Sequence, residues 1–208
     1  MIISVIFVLL FLAFLMGIIL VPKIDGKINM IKVAVMGIMA IFCYQSFWAF
    51  MFQLVGIPVN LKSTCISMAA AVLLLWGMII KKKKMQRIFV RITDIAVLAV
   101  LAGIVIAVSL HMFTPYLRLS YINSDPANHF NDAMVIVKQG VLGKHIYFSA
   151  FVNAMFIEIF SPILIVSKYY KAFIFADIFM HVLEVWMCYV LTVSYTHLRA
   201  HETTLHLV

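Results

Sequence analysis

IISVIFVLLFLAFLMGIILV, residues 2–21, runs for twenty residues without a charge. An α-helix needs about 20 mostly apolar residues to cross the hydrocarbon of a bilayer. A cleavable signal peptide carries a positive n-region, a shorter apolar core and a small-residue cleavage site. This stretch has none of these, so it is expected to stay as a span.

The same test, carried along the chain, finds five further segments: 33–55, 63–80, 92–112, 146–166 and 172–192. The fold class is therefore all-α, a polytopic transmembrane helix bundle of about six spans. Composition agrees. The chain is 65% hydrophobic and 12% charged, where a soluble domain has about 25% charged residues. The sequence shows no internal repeat, no low-complexity linker and no soluble domain. Cys43, Cys65 and Cys188 fall inside apolar runs without metal-ligand spacing, which reads as packing rather than a disulfide framework.

The formal charge of +8 reports topology. Lysines and arginines gather in PKIDGKINMIK (22–32), KKKKMQRIFVR (81–91) and SKYYK (167–171), which together hold eleven. The opposite loops hold four: Lys62, Arg118, Lys138 and Lys144. The positive-inside rule then places the N-terminus and loop 113–145 outside the cell membrane. The Lys81–Lys84 run reads as a stop-transfer anchor near anionic lipid, and Asp94 is expected to pair with that basic cluster. No basic face interleaved with aromatics suggests nucleic acid. Membrane lipid is the expected surrounding.

The loop holds SDPANHF, residues 124–130. Serine or aspartate before proline is a helix start, and Gly140 is a stop. Ala127, Phe130, Ala133, Met134 and Val137 recur at helical spacing between them. A short amphipathic helix at the membrane surface is expected. Asp125 has two readings. It caps this helix, or it acts as a general base on a hydroxyl, with His129 one turn on and Asp132 in support.

Inside the spans, Glu158 lies near Asn153. Asp177, His181 and Glu184 share one helix face, because seven residues are nearly two turns. Ionisable groups at membrane depth are functional candidates by default, and polar groups also join membrane helices. Both readings stay open. One histidine and two carboxylates lack the two-histidine zinc signature, so no metal site is expected there. Gln45 and Gln53, eight residues apart, read as interhelical glue. Gly37 and Gly103 are isolated, without a GxxxG face.

An acidic outward loop followed by a surface helix on a many-span bundle resembles the GT-C superfamily of polyprenyl-phosphate-sugar-dependent membrane glycosyltransferases. Residues 124–130 carry the likeness, which extends over about residues 121–192. It implies a lipid-linked sugar donor, a cell-envelope acceptor and Asp125 as the base. Arg118, Lys138 and Lys144 are then candidates for phosphate or headgroup contact, and a divalent cation is left open. In that family the acidic loop follows the first span; here it follows the fourth. Two other functions stay open. One is a transporter or lipid-linked oligosaccharide flippase using Glu158 and the Asp177/His181/Glu184 face. The other is a non-catalytic scaffold subunit.

Residues 193–203, VSYTHLRAHET, resemble a translated sequencing-library adapter, and 206–208 fit its continuation. Residues 193–208 are therefore expected to be non-native, and the native sequence to be truncated near Thr192. His197, His201 and His206 are accordingly not read as a metal cluster.

Overall fold

The computed structural model describes residues 2–20, 27–81, 87–113, 125–143, 148–163 and 169–205. It is a helix bundle: α1 (Ile2–Leu20), α2 (Met30–Leu54), α3 (Leu61–Ile80), α4 (Ile92–Phe113), α5 (Asp125–Gln139), α6 (Phe148–Ile163) and α7 (Tyr169–Leu205). Among the described residues the extended segments are two three-residue strands, β1 (Lys27–Asn29) and β2 (Arg87–Phe89).

Five helices are long and apolar enough to cross a membrane: α1, α2, α3, Ile92–Met112 of α4 and Lys171–Thr196 of α7. They fit a multi-pass membrane protein. Of the segment expected as a span over 146–166, the described part is the 16 residues of α6, about 24 Å at 1.5 Å per residue; residues 144–147 and 164–168 lie outside the described residues.

Neighbouring contacts give the helices their directions. α1 and α3 run parallel. Trp76 Nε1 donates to the Ala13 carbonyl at 3.1 Å, and a Cβ on Gly17 would lie 3.1 Å from Leu75. α2 returns in the opposite direction, packed against both. Tyr44 Oη donates to the Ser67 carbonyl at 3.0 Å, and its ring meets Phe14 edge-on at 5.3 Å. A Cβ on Gly37 would come within 2.9 Å of Leu15, so this isolated glycine sets how closely α2 approaches α1. Gln45 accepts from Ser67 Oγ at 2.8 Å, which joins α2 to α3 as expected.

β1 and β2 pair in parallel, with Lys27, Ile28 and Asn29 opposite Arg87, Ile88 and Phe89. Every pair is sixty residues apart, and so are the ends of α1 and α3 at Leu20 and Ile80. The chain therefore contains two consecutive helix–strand–helix hairpins of like dimensions, a repeat the sequence does not display. It lies in segment lengths, not in residue identity. The strand pair marks one end of the bundle, and α5 marks the other.

α7 runs from the α5 end to the strand end. Phe173 packs edge-on against Phe130 of α5 at 5.5 Å. About four turns on, Trp186 Nε1 donates to the Leu98 carbonyl at 2.9 Å, and Tyr189 Oη donates to Asp94 at 3.0 Å. Asp94, 3% exposed, also accepts from Asn29 Nδ2, whose Oδ1 caps α2 through the Ile31 amide at 3.1 Å. Among the described residues Asp94 thus takes two neutral donors; the side chains of residues 82–87, most of the basic cluster expected to pair with it, lie outside the described residues. One carboxylate holds the starts of α2 and α4 to α7.

α6 lies alongside α5. Ser149 meets His129 at its start, and Glu158 and Val137 share a cavity wall further on. Ala150, Val152, Ala154 and Ile157 are buried because protein covers α6 on several sides. The start of α7, with Lys171, therefore belongs to the α5 end and not to the strand end.

Candidate functional site at the α5 end

α5 begins at Asp125 and stops where expected. Gly140 has φ +70°, a left-handed conformation that favours glycine, and its amide returns to the Ile136 carbonyl at 2.9 Å. Gly140 also accepts from the Val59 amide at 2.7 Å, and Gln53 Oε1 accepts from the Leu142 amide at 3.1 Å. These bonds fasten the end of α5 to the α2–α3 connection. Gln53 thus joins α2 to this loop, a different partner from that of Gln45.

His129, on the half-buried side of α5, reaches α6. Its Nδ1 lies 3.1 Å from Ser149 Oγ. One turn along α6, Asn153 is fully buried and donates Nδ2 to Asp177 Oδ1 at 3.2 Å. Asp177 is within electrostatic reach of both His129 and His181. A surface helix, a buried helix and a spanning helix thus bring His129, Ser149, Asn153 and Asp177 into one polar cluster. Among the described residues Asn153 Oδ1 is buried without a hydrogen-bond partner. Such an atom is costly to leave unsatisfied, and it marks the cluster as able to accept one more donor.

The sequence nominated His129 and Asp177 separately; the fold joins them. It did not nominate Ser149. The available signal was the i, i+4 spacing of Ser149 and Asn153, two polar residues on one face of an apolar helix. The side chain of Asp125, with Arg118 and Lys144, lies outside the described residues. Lys138 is exposed on α5. Asp132 is buried at 8% exposure and turns onto the loop after α5. A Cβ on Gly143 would lie 2.6 Å from its Oδ1, so Asp132 helps shape this loop.

Glu158 performs a structural task. Its Oε2 accepts from the Leu61 amide at 2.7 Å, the first residue of α3. Asn60 Oδ1 takes the Lys62 and Ser63 amides at 2.9 and 3.1 Å. Ser63 Oγ accepts from the Asn60 amide at 3.0 Å, so all four amides that a helix start leaves open are satisfied. Asn60, Lys62, Ser4 and Glu158 line a cavity of about 360 Å³ beside this cap. A second cavity, of about 250 Å³, has a wholly apolar wall that includes Phe7, Phe11, Phe42, Phe156 and Phe179.

The face expected to unite Asp177, His181 and Glu184 divides. Asp177 turns inward to Asn153, while His181 and Glu184 are exposed on the outside of the bundle. His181 Nδ1 lies 2.7 Å from the Asp177 carbonyl. A carbonyl only accepts, so Nδ1 carries the proton and Nε2 is left to point elsewhere. No metal-binding group of three or more such side chains occurs among the described residues. Compared with known proteins, the chain matches no family model, no curated protein and no solved structure.

Proposed function

We propose that the chain acts as an integral membrane glycosyltransferase, passing a sugar from a polyprenyl-phosphate donor to a cell-envelope acceptor at the α5 end. The observation that carries this reading is the cluster beneath α5. An amphipathic helix brings His129 to a polar patch on apolar helices, and in this reading Asp125, the first residue of that helix, serves the same patch. That is where a lipid-linked headgroup meets the bundle. Nine basic residues still bracket the two strand-bearing connections, so the positive-inside bias puts the α5 end outside.

In this reading Asp125 takes the proton of the acceptor hydroxyl. The freed oxygen attacks the anomeric carbon, and the sugar–phosphate bond breaks with its electrons going to the leaving lipid phosphate. His129, steadied by Ser149, and Lys138 offset the phosphate charge.

The test uses membranes holding the full chain and short-chain polyprenyl-phosphate hexoses and pentoses with a radiolabelled sugar. Asp125→Asn should lower transfer by about 10²-fold or more, the usual size of general-base catalysis. Asp125→Ser separates the rival scaffold role, since serine caps a helix about as well as aspartate but is no base at neutral pH. Undiminished transfer by Asp125→Ser, or no transfer from any donor, sinks the proposal.

A further inference from the structure

We infer that Ser149 is a nucleophile, activated by His129, that takes an acyl group from a lipid ester at the α5 end. Ser149 Oγ lies 3.1 Å from His129 Nδ1. Both side chains are half-buried, held together yet within reach of a substrate. A hydroxyl has one proton to give, and a neutral imidazole has one ring nitrogen to accept it. This pairing of serine with an adjacent base makes a weak nucleophile reactive. Asp177 stands within electrostatic reach of His129 and favours the imidazolium that forms when the proton moves. Asn153 holds that carboxylate from α6 at 3.2 Å.

Helix α6 says what kind of ester fits. Ser149, Asn153, Phe156 and Phe160 are four, three and four residues apart, so they lie along one face of the helix. Phe156 and Phe160 line, with Phe42 and Phe179, the apolar cavity of about 250 Å³. Phe156 is seven residues from Ser149, about 10.5 Å along the helix axis. One face thus passes from a hydroxyl to an amide to a hydrocarbon surface. A long-chain acyl ester has the same order, with the carbonyl first and the chain after it. Val8 and Leu12 of α1 also line the cavity and are exposed on the outside of the bundle, so the chain enters from the lipid.

The step balances within the site. Ser149 Oγ attacks the ester carbonyl carbon as its proton passes to His129 Nδ1. The bond from that carbon to the lipid alcohol breaks, and the departing oxygen takes the proton from His129. The acyl group is left as an ester on Ser149, and water or an acceptor hydroxyl removes it by the reverse sequence. Amides in the first turn of α6 have no earlier carbonyl in the helix to take them, and they offset the charge that develops on the carbonyl oxygen. Neither Asp125 nor a sugar donor takes part, so this inference stands or fails apart from the glycosyl transfer proposed above.

Membranes holding the full chain would be treated with a fluorescent decyl fluorophosphonate, which reacts with activated serines. A labelled band at the 23.6 kDa of the chain is expected, with the adduct mapping to Ser149. Ser149→Ala should lose it, and His129→Gln should slow it about 10²-fold. Carbonate extraction confirms that each variant is inserted, and the adduct mapped in the original chain depends on no variant. Phosphatidylglycerol vesicles with radiolabelled acyl chains supply the ester itself. Label should pass to the chain in a form that resists neutral hydroxylamine. Ser149→Cys should make it hydroxylamine-labile, because a thioester replaces the oxygen ester. No adduct, an adduct on another residue, or a rate indifferent to His129→Gln would overturn the inference. So would a fluorophosphonate adduct without acyl transfer from the vesicles.

Discussion

α4 and α7 pack side by side, and each leaves a flank uncovered, but the flanks are chemically unlike. α4 presents Val100, Ile104 and Val108, each more than half exposed. α7 presents His181, Glu184 and Cys188. In water both would be anomalies of the same kind. In a bilayer only one is, because lipid tails solvate valine and isoleucine as well as a protein core does. Exposure alone therefore says little here. The identity of the exposed atoms says whether lipid or protein completes the surface.

The largest effect expected from this contrast is all-or-none and concerns the direction of α7. Its start lies with α5 and its later turns lie against Asp94 at the strand end. A topology reporter fused after Lys84 and one fused at Val208 should therefore report the same side of the membrane. Reporters on opposite sides would mean that α6 crosses as well, and the parity of the bundle would change.

Next in size is a charge moved from one flank to the other. Val100→Glu puts a carboxylate on the lipid-facing flank of α4, at a cost of about 2.5–3.5 kcal/mol near the bilayer centre. Membrane insertion of α4, read by the same reporters, should fall. Glu184→Leu on α7 should insert at least as well as the original. If Val100→Glu inserts normally, the α4 flank is also covered by protein, and the contrast between the helices dissolves.

The spans were legible because apolar run length is a local property of sequence. Gly140 was legible for the same reason, as a stop written in one residue. Periodicity and apolarity do not separate a helix buried in protein from one buried in lipid, so the place of α6 beside α5 and the burial of Ala150, Val152, Ala154 and Ile157 were not legible. The candidate site was half legible. His129 and Asp177 drew attention as ionisable residues in unusual places, yet their meeting depends on Ser149 and Asn153, which neither motif nor charge picks out. Glu158 had the same signature as Asp177 and is instead engaged in capping α3, with a partner 97 residues away. A polar side chain in an apolar run announces that it has a partner, and the topology determines which.

The smallest effects lie on the hidden side of the same helix pair, where α4 and α7 touch. Asp94 is shared by two donors, Asn29 and Tyr189, whereas Tyr189 makes one bond to it. Their removal should therefore be unequal. Asp94→Ala leaves the half-buried Asn29 and Tyr189 donors without their acceptor and should cost about 2–3 kcal/mol, in keeping with hydrogen bonds to a charged group. Tyr189→Phe keeps the ring and the Asn29 bond, and should cost about 1 kcal/mol. Thermal unfolding in detergent would rank them. The ranking matters more than the values, because it follows from Asp94 being the hub. Were Tyr189→Phe as damaging as Asp94→Ala, the tyrosine would be holding α7 through packing, and the carboxylate would not be what joins α7 to α4 and the start of α2.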